Sequence, residues 1–368
     1  MKKTRILQAI RQGQVGGGET HVFDLSTHLD PERFEPIVLS FTEGEMVDKL
    51  RDKGIETHVI HTTKPFDPRV LAEVKKLMKE REIDIVHAHG TRAASNTLFA
   101  ARSQRLPLFY TIHGWSFNDS QSKLVHFVRR STERFITRRT HLNICVSQSN
   151  LDSGKRFIQG FEAEVVYNGV SLERFDLNGS YSFAEEIDKK PGELWIGFIA
   201  RMTFQKNPVH LLKAFREAVE EQKNLRLVMI GGGELEQDVK NYIEEHHLGS
   251  SVKVLPFRKD IPNILNAIDI YCLPSLWEGL PIGVLEAMAM QKPVLASRVD
   301  GTTELVGPEN GLLVGPTDLQ ELRHAILKMS SSREELVAMG KNGRSKIEKD
   351  FTLHKMVGHI EKLYQTYV

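Results

Sequence analysis

The sequence is short of cysteine, of long apolar runs and of net charge, and each shortage narrows the class of protein. Its two cysteines, Cys145 and Cys272, stand in apolar strand-like runs, where cysteine usually acts as a small buried hydrophobe, so we assign them no chemistry. No run approaches the roughly 18 apolar residues of a membrane span. The start, Met-Lys-Lys-Thr-Arg-Ile-Leu, lacks the apolar core and cleavage site of a signal peptide. We therefore expect a cytoplasmic protein.

The charges nearly cancel, and a common nucleotide-binding motif is absent. The 49 Lys and Arg residues and the 48 Asp and Glu residues leave a formal charge of +1. That balance argues against a nucleic-acid partner held by bulk charge and leaves room only for local patches. The Gly-x-Gly-x-x-Gly spacing of a dinucleotide site does not occur, which excludes a dehydrogenase, and the Gly-Lys-Ser/Thr of a P-loop is missing as well.

Short β-rich runs alternate with longer amphipathic segments along the whole chain, which is typical of parallel sheets with crossover helices in an α/β fold. At 368 residues the chain exceeds the size at which one core stops growing, so we expect two domains. The predicted strands are 5–10, 36–41, 84–87, 108–112, 142–146 and 164–167 in the first half, and 194–200, 226–230, 252–257, 269–274, 293–297 and 311–314 in the second.

The domain boundaries follow from a segment without strand character. Residues 172–192 carry glycine, serine, proline and charge, which predicts a linker between domains 1–171 and 193–352. The conspicuous polar motifs of both halves fall at carboxyl ends of predicted strands, where open α/β sheets bind ligands. They can meet one ligand only if the two edges face each other, so the sequence predicts two Rossmann-like domains across a cleft.

The most informative motif is Glu278-Gly-Leu-Pro-Ile-Gly-Val-Leu-Glu286, which follows a predicted buried strand and opens a helix. Unpaired N–H groups at a helix start can bind a diphosphate, Gly283 permits close backbone approach, and Glu286 can accept hydrogen bonds from sugar hydroxyls. The string, continued by Ala-Met-Ala, resembles the donor-site signature of retaining glycosyltransferases with the GT-B fold, in particular family 4 (glycosyl transferases group 1). The resemblance implies that a C-terminal helix, 353–368, crosses back to complete the first domain.

In this family the donor phosphates are held by an Arg and a Lys, and the resemblance places them at Arg201 and Lys206, after the first strand of the second half. Fixed cations can stabilise a departing diphosphate as a divalent metal does. No two aspartates stand two positions apart, so the Asp-x-Asp metal motif of the other main transferase fold is missing. We therefore expect no metal and no other cofactor. Plain surface charge is the alternative for both residues.

Further donor-side residues follow from the same resemblance. The glycine-rich loop Gln12–Thr20 resembles the family's Gly-Gly-x-Glu loop, which lies against donor phosphates and acceptor, although a flexible turn is the alternative. The expected donor contacts are Gly17, Gly18, Gly231, Phe257, Arg258, Ile282, Gly283 and Val284, with Glu19 and His89 towards the acceptor. For Gly231 a simple helix entry is the alternative.

Histidines mark two strand ends. His113 coincides with the histidine that family members place beside the donor sugar, so we expect it to be catalytic or sugar-binding. His87 and His89 share one face of a strand, as a metal half-site would. We identify no further Cys, His or carboxylate cluster nearby, and the family has a similar pair without a metal. Of the two, His89 is expected to reach the ligand.

The resemblance implies a retaining transfer from a nucleotide sugar, with uridine diphosphate as the expected nucleotide, to a glycan or lipid-linked acceptor of cell-surface polysaccharide synthesis. Glu278 would orient the donor sugar and Glu286 would bind the ribose. Two alternatives share the two-domain plan: a nucleotide-sugar 2-epimerase, against which the Glu278–Glu286 motif counts, and a binding protein without catalysis.

The segment Lys123–Arg139 carries six basic residues and one acid, interleaved with apolar residues at helical spacing. It could lie on an anionic membrane at the inner face of the cell. The alternative is an ordinary helix that packs Leu124, Val128 and Phe135 on the sheet and keeps a solvated basic face.

Overall fold

The computed structural model describes residues 2–14, 16–117 and 122–367, so Val15 of the glycine-rich loop lies outside the described residues. The chain forms two compact units. The first contains Met1–Gly169 and Leu353–Val368, and the second contains Val170–Thr352. Each unit has its own parallel sheet.

The first unit is built on a seven-stranded sheet with the order β3-β2-β1-β4-β5-β6-β7. Its strands are β1 (Thr4–Ile10), β2 (Phe34–Ser40), β3 (Glu56–Val59), β4 (Ile85–His89), β5 (Leu108–Ile112), β6 (Leu142–Cys145) and β7 (Glu164–Val165). Its helices are α1 (Gly17–His28), α2 (Glu45–Asp52), α3 (Leu71–Glu80), α4 (Thr91–Ser103), α5 (Lys123–Thr137) and α6 (Gln148–Phe157). The strands β4 and β5 are buried at every position, as near-continuous apolar runs in a covered parallel sheet should be.

The second unit repeats this plan with the order β10-β9-β8-β11-β12-β13. Its strands are β8 (Leu194–Ile199), β9 (Leu225–Ile230), β10 (Val252–Leu255), β11 (Ile270–Leu273), β12 (Val294–Ser297) and β13 (Gly311–Val314). Its helices are α7 (Phe183–Glu186), α8 (Pro208–Glu221), α9 (Glu236–Glu245), α10 (Ile261–Ala267), α11 (Ile282–Ala289), α12 (Thr302–Leu305), α13 (Leu319–Ser330) and α14 (Arg333–Asp350). All six strands lie where the sequence predicts them.

Strand β3 is the one that the sequence pattern did not predict. Its four residues are Glu-Thr-His-Val, and each is half-buried or exposed at the edge of the sheet. An edge strand needs no apolar run, because one side of it is unpaired and little of it enters the core. Apolar periodicity therefore gave no signal for β3.

The predicted linker, 172–192, differs from the structure, which places it in the second unit. Phe175 and Phe183 are buried, with 1% and 0% of their surface exposed. The side chain of Arg258 stacks on the Phe183 ring at 4.9 Å. These contacts fix the segment on the second unit despite its polar composition.

The last helix, α15 (Leu353–Gln365), returns to the first unit, as the family resemblance implies. Its apolar side chains pack with Ile6, Ile85 and Phe109 of the first sheet. The hydroxyl of Tyr364 accepts a hydrogen bond from Gln8 Nε2 (2.8 Å) and lies 2.6 Å from Nδ1 of His87. The C-terminal segment is thus part of the first hydrophobic core.

Helix α5 departs from the packing alternative considered above. Leu124 and Val128 have 73% and 53% of their surface exposed, and Phe127 has 57%. Phe135 is partly buried against the core, and the fully buried positions include Glu133 and Ile136. The helix therefore turns most of its apolar side chains outward.

Within the described residues, no helix combines the length and the apolar character needed to cross a membrane.

Candidate active site

The predicted donor residues of the second unit meet at the carboxyl ends of β8, β9 and β11. The loops after β8 and β9 hold each other, since Met202 N donates to Gly232 O (2.9 Å) and Leu235 N donates to Met202 O (2.9 Å). Gly231 has φ of 138°, and a Cβ there would lie 2.2 Å from Ala200 O. Only glycine allows the two loops to approach this closely.

Lys206 and Glu278 form an ion pair that the sequence placed 72 residues apart. Lys206 Nζ lies 2.5 Å from Glu278 Oε1, and the two side chains have only 16% and 6% of their surface exposed. Backbone contacts hold the two loops together, because Leu276 N donates to Gln205 O and Gln205 Nε2 donates to Trp277 O, each at 2.8 Å. A cation and a carboxylate are thereby fixed side by side.

Helix α11 begins at Ile282, directly after Pro281, as the motif predicts. A Cβ on Gly283 would lie 2.4 Å from the hydroxyl of Tyr271, which donates to Ile199 O (3.3 Å). Burial, reinforced by the carboxylates of Glu286 and then Glu278, raises the pKa of Tyr271 well above its ordinary value. The two motif carboxylates therefore lie around one buried tyrosine.

Glu286 is half-buried and lies 3.9 Å from Arg174 Nη1. Arg174 was not predicted as a site residue, because it stands in the segment that the sequence marks as a linker. Its place in the second unit brings a cation to the carboxylate expected to bind ribose. No sequence signal could have found it, since the contact depends on how that segment packs.

The other predicted donor residues differ in the exposure and the partners of their side chains. Arg201 is exposed on the loop after β8. The side chains of Ile282 and Val284 are buried in the core, so they can offer a ligand only their backbone. Phe257 has 47% of its surface exposed. Arg258 is tied to Asp260 (2.7 Å) and to Glu186, so its side chain serves the fold.

In the first unit, His113 lies after β5 and contacts His89 at the end of β4. His89 Nδ1 and His113 Nε2 are 3.1 Å apart, and His89 Nε2 lies 2.8 Å from Gln8 Oε1. Because Gln8 Oε1 can only accept, Nε2 of His89 carries the proton and Nδ1 accepts from His113. His89 is fully buried with a partner at each ring nitrogen, and its expected contact with the acceptor stays a prediction.

A third histidine joins this pair. His21, on α1, lies with its ring centroid 4.8 Å from that of His113 and 5.3 Å from that of His89. Burial lowers the pKa of His21 to about 4 and holds the pKa values of His89 and His113 well below their ordinary value. The rings are therefore neutral at physiological pH. Because His21 is remote from His89 in the chain, no local sequence pattern predicts that it lies beside the other two histidines.

The glycine-rich loop is more helical than predicted, since α1 begins at Gly17 rather than near Thr20. A Cβ on Gly18 would lie 3.4 Å from Cδ2 of His113, so the helix start packs against that ring. Glu19 is buried, and its carboxylate lies 3.5 Å from Arg11 Nε. The first turn of α1 and His113 thus form one surface.

A buried carboxylate, Glu133 of α5, supports the neighbouring loop and was not predicted. It accepts hydrogen bonds from the hydroxyls of Thr91 (2.6 Å), Ser116 (2.6 Å) and Tyr110 (2.9 Å). Burial raises the pKa of Glu133 despite these donors. The contacts tie α5 to the chain that follows His113.

Known proteins match both units. Residues 15–174 match the family described as Glycosyltransferase Family 4, and residues 182–346 match Glycosyl transferases group 1. The UDP-Gal:alpha-D-GlcNAc-diphosphoundecaprenol alpha-1,3-galactosyltransferase of Escherichia coli is 30% identical over 91% of this chain and 90% of its own length. The putative glycosyltransferase EpsD of Bacillus subtilis is 26% identical over 83% of each chain.

Solved structures agree on the fold. Anabaena HepE in complex with UDP-glucose has a TM-score of 0.86 at 23% identity, with 98% of this chain and 99% of that chain covered. Sucrose-phosphate synthase of Thermosynechococcus elongatus has a TM-score of 0.82 at 18% identity, with 99% of each chain covered. The chain therefore belongs to family 4 of the glycosyltransferases and is a transferase with the GT-B fold of two Rossmann-like domains.

Proposed function

We propose that this glycosyltransferase moves a hexose, with retention of configuration, from a UDP-sugar to a hydroxyl of a lipid-linked glycan in cell-surface polysaccharide synthesis. The observation that carries the proposal is the buried Lys206–Glu278 pair at the strand edge that also presents Glu286. The Escherichia coli relative, whose name states a UDP-galactose donor and a diphosphoundecaprenol-linked acceptor, supports this choice of substrates.

Each residue has a role in the proposed reaction. Lys206 and Arg201 hold the donor diphosphate without a divalent metal, the first as a point charge held beside Glu278 and the second with the fixed donors of its guanidinium. Glu278 orients the donor sugar beside Lys206, and Glu286 binds the ribose. His113 accepts from a sugar hydroxyl, since its ring is neutral. As the diphosphate leaves, its oxygen removes the proton of the attacking acceptor hydroxyl.

The donor site is tested by thermal unfolding with nucleoside diphosphates and their sugars, without added metal. UDP and one UDP-sugar are expected to raise the transition of the second unit, because a ligand at 100 times its Kd adds about 2.7 kcal/mol. Glu286→Ala should remove the shift, whereas Glu220→Ala, an exposed residue of α8, should keep it. A shift with another base alone would overturn the nucleotide assignment.

Analysis of the products by NMR distinguishes a retaining transfer from an inverting transfer and from epimerisation of the donor. Incubation with the shifting UDP-sugar and a polyprenyl-diphosphate sugar is expected to give a new linkage with the anomeric configuration of the donor. Inverted configuration would contradict retention. An epimerised donor without transfer would contradict the proposed reaction.

We further propose that the outward face of α5 places the enzyme on an anionic bilayer. Leu124, Phe127 and Val128 are exposed together, and basic residues flank them. Arg130 lies 5.9 Å from the ring of Phe127, and Arg139 lies 3.8 Å from the ring of Phe135. Apolar side chains between cations suit the interface of acyl chains and anionic headgroups.

Vesicle sedimentation tests this surface. The enzyme is expected to sediment with vesicles of anionic phospholipid and to be released by high salt, since screening weakens the attraction. Replacing Leu124, Phe127 and Val128 by Ser should weaken binding by at least about 100-fold, because each buried apolar side chain contributes about 1.5–3 kcal/mol. Replacing the exposed Val337 and Leu177 by Ser is the matched control. Undiminished sedimentation of the triple variant would refute the assignment.

A further inference from the structure

Three histidines of the first unit converge without a carboxylate between them. One ring nitrogen from each of His21, His89 and His113 lies within 4.8 Å of the other two. They come from separate elements: α1, the end of β4 and the residue after β5. Imidazole nitrogens at this spacing are the ligands that zinc-class ions prefer.

Hydrogen bonding alone does not satisfy this cluster. Nε2 of His21 is buried and has no hydrogen-bond partner among the described residues. His21 as a whole has 2% of its surface exposed. A contact between His89 and His113 explains their 3.1 Å separation but leaves the nitrogen of His21 unmatched. Buried polar atoms without partners are rare and call for a ligand.

The hydrogen bonds made by the second ring nitrogens of His21 and His89 are those expected around a metal centre. Nδ1 of His21 lies 2.9 Å from Oδ1 of Asn168, and Nε2 of His89 lies 2.8 Å from Oε1 of Gln8. Each carbonyl oxygen accepts the N–H of its imidazole, which leaves the other nitrogen of that ring with a bare lone pair. Metal-bound histidines use this arrangement, because the second hydrogen bond fixes the tautomer and the ring orientation.

We propose that His21 Nε2, His89 Nδ1 and His113 Nε2 bind one divalent transition-metal ion of the zinc class. Tetrahedral Zn²⁺ with bonds of about 2.0–2.1 Å separates its ligand atoms by about 3.4 Å. The 3.1 Å between His89 and His113 is already close to this value. Because the ligand atoms of the cluster all lie within 4.8 Å of one another, His21 has to approach the other two rings by at most about 1.4 Å. Gly18 beside His113 adds no side chain that would block the ion.

Binding of this ion affects the sugar transfer, and this part of the inference rests on the proposed function. An ion on Nε2 of His113 fixes the ring proton on Nδ1, so neither nitrogen of that ring can accept a hydrogen bond from the donor sugar. The ion therefore inhibits transfer and is distinct from any ion at the donor phosphates. Binding itself can be measured without turnover, so failure of the metal site and failure of the proposed reaction are separable.

The experiment titrates Co²⁺ into the untagged full-length chain after chelator treatment and follows visible absorption. We expect intense bands of one tetrahedral Co²⁺ per chain, which Zn²⁺ displaces. The chain has 15 histidines, so the site is identified by variants. His21→Gln and His113→Gln should each weaken Co²⁺ binding by at least about 10-fold. His324→Gln, at an exposed position of α13, should leave it unchanged.

Each result of the Co²⁺ titration either supports the metal site or overturns it. Bands that fall in both cluster variants while their thermal unfolding stays cooperative support the site. Absence of tetrahedral bands at saturating Co²⁺, or bands that persist in both variants, overturns it. If one variant fails to fold, the other decides, because each removes one ligand. Zn²⁺ inhibition relieved by chelator in the natural protein but absent from His21→Gln would extend the result to catalysis.

Discussion

Lys206→Ala is expected to lower kcat/KM for sugar transfer by at least about 100-fold. Lys206 is the cation at the donor edge that the fold holds in place, paired with Glu278 at 2.5 Å. Removing one preorganised group that stabilises developing charge commonly costs about 10²–10³ in rate. Steady-state kinetics with the UDP-sugar that shifts the thermal transition would measure the loss.

Two controls separate catalysis from folding. Lys213→Ala alters an exposed lysine of α8 and should leave the rate unchanged. Because Lys206→Ala also leaves the buried carboxylate of Glu278 without its cation, unfolding of the variant must be measured in parallel. Glu278→Gln relieves that charge and should still be slow, since the sugar loses its orienting carboxylate. Rates within about twofold of the natural enzyme in both variants would refute the assigned roles.

Ending the chain at Thr352 is expected to unfold the first unit and leave the second folded. The truncation removes the buried side chains of α15: Leu353, Met356, Val357, Ile360 and Tyr364, each with at most 5% of its surface exposed. At about 1.5–3 kcal/mol for each side chain, the loss is roughly 7–15 kcal/mol as an upper bound. That equals the whole stability of a typical domain.

Hydrogen exchange read by mass spectrometry would show the outcome unit by unit. Peptides from β1, β4 and β5 should lose protection, whereas peptides from β8 and β9 should keep it. Removal of 366–368 alone is the matched control, because Tyr364 and its contacts with Gln8 and His87 remain. Protection of β1 at the natural level in the truncated chain would show that α15 is dispensable for the first core.

The regular part of the fold could be predicted because its signal is local. Buried parallel strands are apolar runs, and twelve of the thirteen strands stand where those runs predict them. The donor motif is local too, since the strand β11, the turn and the start of α11 follow each other within 20 residues of sequence. For the same reason β3, whose residues are polar and half-exposed, gave no signal.

Contacts between residues far apart in the sequence could not be predicted in the same way. Arg174 reaches Glu286 only because a segment of linker-like composition packs on the second unit. Helix α5 has the periodicity of a packed helix, yet its Leu124 and Val128 face outward, because Glu133 and Ile136 occupy the buried face. Amphipathic spacing shows that a helix has distinct faces, and tertiary packing decides which of those faces is buried.

The sequence by itself determined the parallel α/β plan, the placement of polar motifs at strand ends and the membership in the transferase family, because backbone propensity and short motifs are encoded within a few neighbouring residues. Only the tertiary structure decided that His21 joins His89 and His113, that Lys206 pairs with Glu278 and that the hydroxyl of Tyr364 lies against Gln8 and His87. These contacts join residues far apart in the chain, and their geometry is fixed by burial and by backbone approach, which no local pattern records.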